Sequence, residues 1–542
     1  MTTEATETGT PMRGRAQDNG LAALRECVVN ADYPQATAQF LRLLREGARP
    51  EALMAEAIGV TAPYVQAPSH IIVRPDGQTR GVNYDHTILA WRGSDRLSRA
   101  LPKQPALLPL AQAMWYTPQG LDVWSQIHCE FPGHYARDQE KCGARDEHRL
   151  PQGNRFDQPA WQGPKVHFHD QPAIRAGSVD TRLHLLLEAI MEGERAQSYG
   201  LFLGLAEEPA ARTRLKEAIL FAGIIDLQET VIQRGGYQNI GHKALRARAL
   251  VDLADTLGWE NAHDVFYTVV PDFACTPRFY ELWSLTTVML PQEFNSRWSE
   301  LKRANTAPLS EAEIDTVIDT VLWAPPGEVT ALITRLLRAG KALLAIADAI
   351  VIAYMGYLWD VVEHPAAFFT PGHSFDYCNV VNHWLRAYDN PHQAKALYFE
   401  ALFVNDLIRA NALFPRDPAV EIEPRAPHLA QAAALTPDEL LVQLDHACRT
   451  QEAARAMALV DTYLSATAER TNLIATLAQV GATIQNDPHI ARLCMSSIEE
   501  YGHNGTSRKD DILRGWAKYL ARAVRRSYDS GCYDLYQREF GR

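Results

Sequence analysis

Cysteine is sparse in this chain, at eight in 542 residues. Their spacing forms no dense disulfide framework, so free thiols in a reducing compartment are expected. Positive charge is also short: 53 Lys and Arg stand against 65 Asp and Glu, for a net −12. With no basic stripe interleaved with aromatics, this argues against nucleic acid as the main partner. No apolar run is long enough to span a membrane, and 343–354 (LLAIADAIVIAY) reads as a buried helix. The opening MTTEATETGTPMRGRAQDNG lacks the apolar stretch of a secretory signal, so a disordered tail and a cytoplasmic protein are expected. Absent too are a glycine-rich phosphate loop, a nucleotide-binding strand-turn-helix, a G-x-S-x-G elbow and H-E-x-x-H. Neither flavin nor nicotinamide has a seat.

Helical periodicity dominates what remains. Apolar residues recur at three- and four-residue intervals over 22–43, 51–60, 181–205, 211–233, 243–257, 328–362, 379–388, 391–411, 437–468 and 512–528. Thr436 before Pro437-Asp438-Glu439, and Ser310 three residues before Glu313, supply helix-capping chemistry. The best strand signal is HIIVRP at His70, sufficient for one short edge ribbon. The fold class is all-α.

A unit of about this helical content recurs four times. LLREGARPEALMAEAIGVTAPYVQ from Leu43 leads to GVNYDHTILAWR, and LLRAGKALLAIADAIVIAYMGYLW from Leu336 leads to TPGHSFDYCNVVNHW. LKEAILFAGIIDLQETVIQRGGYQNIGHKALRARALVDL from Leu215 is a third copy, and LIATLAQVGATIQNDPHIARLCMSSIEEY from Leu473 a weaker fourth. Four repeats curled around a central cavity are expected: 21–100, 181–305, 306–412 and 437–542, the last including a C-terminal helix. Residues 1–20 are the tail and 413–436 a linker. Residues 101–180, rich in Pro, Gly, Gln, His and Asp and with little periodicity beyond 112–131, read as an irregular insertion covering one mouth of the site.

Aligned on these repeats, His86, His242, His373 and His489 occupy one column. Loop-forming residues precede each, so each is expected in a first helical turn, projecting toward a shared interior. Four imidazoles suit a transition metal such as iron, zinc, copper or nickel rather than magnesium or calcium. The competing reading is capping or core histidines satisfied by backbone carbonyls. Lys243, next to His242, is either a solvated surface lysine or a buried amine that takes up CO₂ to become an anionic carbamate ligand. Asp85, Gln66, Gln228, Glu229 and Asp376 lie near the column as candidates to orient the rings, or as helix-end caps. Trp91, Trp115, Tyr354, Phe375, Tyr377 and Trp384 are among the aromatics near it, as pocket walls or as core. Cys129, His134, Cys142 and His148 have looser spacing than structural zinc sites use. His167 and His169 fit a surface loop or a contact to substrate or metal.

The layout of helical repeats, with REGARPEALMAEAIGV, NYDHTILAW, NIGHKALRARALVDLADTLGWENAHDVFY and GHSFDYCNVVNHW, resembles the questin oxidase-like proteins over most of 22–505. The resemblance implies a non-haem iron oxygenase acting on anthraquinone-type aromatic polyketides. It implies iron(II) on His86, His242, His373 and His489 with carboxylated Lys243, and dioxygen and a small aromatic molecule as substrates. Asp85, Gln228 and Lys243 are then the expected catalytic residues. The 101–180 insertion has no counterpart in that pattern. Two other classes stay open: a helical solenoid that binds a partner protein or hydrophobic ligand without chemistry, and a zinc hydrolase.

Overall fold

The computed structural model describes residues 12–30, 32–62, 71–73, 79–81, 86–102, 105–127, 170–227, 241–274, 280–360, 369–412, 423–484, 488–522 and 531–541. The fold is all-α, as the periodicity requires. Among the described residues the exception is an antiparallel ribbon pairing Ile71–Val73 with Thr79–Gly81, at the expected HIIV segment.

Four helices carry the aligned histidines: Thr87–Arg99, His242–Leu257, Phe369–Ala387 and Pro488–His503. Each packs on the next and the fourth packs on the first, closing a ring. The His86 and His242 helices run parallel, because Arg96 and Asp252, each ten residues beyond its histidine, pair at 3.0 Å just as the two histidines meet. Each is preceded by a helix that packs against it: Pro50–Thr61, Arg212–Ile225, Leu343–Asp360 and Thr471–Ile484. Central helices in this position are enclosed on all sides. Every residue from His242 to Ala254 is buried, so the charges among them must find partners inside the protein.

The chain breaks several predicted helices. Residues 328–362 divide into Pro326–Arg338 and Leu343–Asp360 at Gly340, whose φ of 77° ends the first helix in a left-handed cap. Residues 22–43 divide at Asp32, whose side chain caps Tyr33–Arg45. The stretch 437–468 divides at Gln451, a non-glycine residue with φ of 62°. Both capping boxes, at Thr436 and Ser310, form as expected.

Three boundaries are corrected. Part of the supposed tail is helix Met12–Val29. Part of the supposed insertion is helix Leu107–Ile127, which buries Ala111, Ala113 and Met114 and packs on the His86 helix; 103–104 and 128–169 of that stretch lie outside the described residues. Part of the supposed linker is helix Ala426–Ala432.

Leu343–Asp360 extends beyond the apolar run and is long and apolar enough to cross a membrane, but 78% of it is buried inside the fold. Asp348, within it, pairs with Arg386 at 2.9 Å. It is a core helix packed on the His373 helix.

Candidate metal centre

The four column histidines meet. Ring centroids are 4.8 Å apart for His242–His373, 4.9 Å for His373–His489, 4.9 Å for His86–His489 and 5.6 Å for His86–His242. These are the four sides of a closed quadrilateral. With metal–nitrogen bonds of about 2.1 Å, adjacent imidazole ligands place their centroids about 4.5–5.5 Å apart. The candidate ligand nitrogens of His86, His373 and His489 lie within 4.8 Å of one another, a group that does not include His242. His86, His242 and His373 are buried and His489 is partly buried. Nε2 of His373 and Nε2 of His489 are buried without a hydrogen bond at that atom, while both residues interact elsewhere in the protein.

Local structure explains the convergence. His86 is the N-cap of its helix, His242 the first residue of its helix and His489 the second. His373 departs from expectation: its helix starts at Phe369, so the imidazole sits in the second turn. Gly241, with φ of 84°, turns the chain into the His242 helix. A Cβ there would stand 3.2 Å from Tyr377 as well as strain the backbone, so this turn accepts glycine alone.

Below the histidines, the ring axis is filled by ion pairs. Arg92 Nε donates to Asp252 Oδ2 at 2.8 Å, Arg248 Nε donates to the same oxygen at 2.9 Å, and Arg96 reaches Oδ1 at 3.0 Å. Glu499 lies 3.5 Å from Arg248 and accepts from Asn379 at 3.0 Å. Burial pushes the Asp252 carboxyl up, but Arg248, Arg92 and Arg96 outweigh it and hold the group far below its ordinary range. Burial likewise opposes ionisation of Glu499, and Arg248 and Arg92 prevail there too. His383 takes the opposite course: burial, then repulsion from Arg248, lowers it to about 3. Arg96, Asp252, His383 and Glu499 each follow their column histidine by ten residues, so the repeats build a second ring nearly three helical turns below the first. Sequence reading missed it, although the same alignment contains it.

The other predicted residues separate. Lys243 is buried, and its ammonium pairs with Asp226 and donates to the carbonyl of Phe273 at 3.3 Å. A carbamate there would set two anions together, so the geometry favours an ammonium over the expected ligand. Asp376 joins the His373 and His489 helices through Arg492 and Ser496. Asp85, Gln66, Gln228, Glu229, His167, His169 and the Cys129–His134–Cys142–His148 group lie outside the described residues. Trp91, Tyr377 and Trp384 are core: each is fully buried and hydrogen-bonded, to Thr117, Ile224 and Glu217 respectively.

No family model, curated protein or solved structure matches the chain. The fold and this site define its class: an all-α protein with four histidines gathered at the head of a parallel helix ring.

Proposed function

We propose that the chain is a non-haem iron oxygenase that oxidises or cleaves an aromatic, quinone-like molecule with dioxygen. The closed quadrilateral of His86, His242, His373 and His489 carries this reading. Four neutral nitrogen donors select a transition metal over magnesium or calcium, and an octahedral ion held by four side chains keeps two positions for exogenous molecules. Iron(II), when bound, supplies the one-electron chemistry that spin-paired organic substrates need to react with dioxygen. The protein's own part is to fix the imidazoles on the first or second turn of rigid helices and exclude water by burial. Charge around the centre is already balanced within the chain: Lys243 by Asp226, and Arg492 by Asp376.

The test is oxygen uptake by iron(II)-loaded protein over a panel of hydroxylated anthraquinones, with products weighed by mass spectrometry. Uptake with gain of oxygen in the product, lost in His373→Ala, is expected. No uptake by iron-replete protein with any member of the panel contradicts the proposal.

One observation favours a second reading. His86, His373 and His489 form the tighter group, and catalytic zinc usually keeps three protein ligands and an activated water. A zinc-loaded protein with esterase or amidase activity and no oxygen uptake would select it.

A further inference from the structure

We infer that Asp376 and Arg492 are positioning residues for the metal centre, holding the His373 and His489 helices in the one register that brings their imidazoles together. This rests on the metal reading above. Asp376 follows His373 by three residues and Arg492 follows His489 by three, so each lies one turn inside its histidine. Arg492 Nε donates to Asp376 Oδ2 at 3.0 Å, and Nη2 lies 3.0 Å from the same oxygen. Ser496 Oγ, one turn further along, donates to Oδ1 at 2.8 Å. Both carboxylate oxygens are therefore tied to one neighbouring helix at two successive turns. A single contact fixes only a distance; this arrangement fixes sliding and rotation together.

The His86 helix rests on the same turn. A Cβ added to Gly93 would lie 3.2 Å from the backbone nitrogen of Arg492 and 3.3 Å from the carbonyl carbon of Ala491. Three of the four histidine helices thus take their spacing from the turn that carries Arg492. Asp376, Arg492 and Ser496 are 4%, 2% and 0% exposed. A buried ion pair is commonly no more stable than well-packed apolar side chains of similar volume. Its use here is explained by geometric specificity rather than by stability.

The experiment compares cobalt(II) binding to the full chain and to the Asp376→Leu, Arg492→Met double variant, with circular dichroism to confirm the fold. Cobalt(II) reports both affinity and ligand geometry through its visible bands. The expected result is a folded variant whose cobalt affinity falls about 10–100-fold, the range for groups that orient metal ligands, with shifted bands. A folded variant with wild-type affinity and spectrum overturns the inference and leaves the metal reading standing. If the double variant does not fold, Ser496→Ala, which removes only the hydroxyl donor, carries the same two readouts: weaker binding with shifted bands supports the inference, and unchanged values overturn it. Wild-type protein that takes up no cobalt removes the metal reading, and this inference with it.

Discussion

The imidazoles of His86 and His489, from near the two ends of the chain, lie 4.9 Å apart. The site is therefore complete only when the first and last helices of the ring have closed on each other. A metal that binds there stabilises closure of the whole ring, because it binds the folded state alone. At a free metal concentration of one hundred times Kd, stabilisation should be about 2.7 kcal/mol. Thermal unfolding of the apo and metal-loaded chain should show the rise, and His86→Ala should remove it.

The sides of the quadrilateral are unequal, and the histidines should differ accordingly. His373 belongs to the tight group with His86 and His489, whereas His242 falls outside it. His373→Ala should leave no tightly bound metal after gel filtration. His242→Ala should retain a weaker, exchangeable ion. Equal retention by both variants would show that the ring spacing carries no information about ligation.

Acid should unfold the apo chain earlier than its carboxylates alone require. His383 is lowered to about 3 by burial and by Arg248, with Arg92 also opposing and Asp252 and Glu499 favouring its proton. His392 is lowered to about 4 by burial and by Lys395. Both histidines titrate near 6.5 when unfolded, so the unfolded chain binds the extra proton as pH falls. Their neutral forms cost nothing above pH 6.5. Below it each removes stability, at about 1.4 kcal/mol per pH unit, down to about 3 for His383 and about 4 for His392. Urea midpoints between pH 7 and pH 5 should fall, and His383→Gln should flatten that slope.

Gly223 places the helix Arg212–Ile225 against the start of the His242 helix. A Cβ there would stand 2.7 Å from the carbonyl oxygen of Lys243 and 2.9 Å from Cα of Ala244. These are backbone atoms that cannot swing aside. Gly223→Ala should cost about 1–3 kcal/mol and weaken metal binding by displacing His242. Denaturant melts beside metal titrations check both effects.

Much of this was legible in the sequence because repeats put equivalent residues in equivalent places. The alignment that gathered His86, His242, His373 and His489 stands in the structure as four rings in contact. The same alignment held Arg96, Asp252, His383 and Glu499, but their residue types differ, and a ring of mixed charges has no spacing signature. Asp376 was visible as a polar neighbour of His373. Its partner Arg492 was not, since pairing across helices depends on their relative rotation. For Lys243, adjacency to His242 in sequence is not adjacency in direction: consecutive helical residues point about 100° apart, and Lys243 pairs with Asp226. Helix Leu107–Ile127 was legible only as the periodic stretch 112–131, because the Pro- and Gly-rich sequence around it hid its start, and Pro118 falls within it.

The central claim is that four histidines hold one metal. It is tested most directly by the metal content of the chain purified with iron(II) supplied, beside the His242→Ala, His373→Ala double variant. About one iron per chain, absent from the variant, is the predicted result. Equal metal in both proteins, or none in either, would contradict it and leave a helical scaffold whose histidine ring serves packing alone.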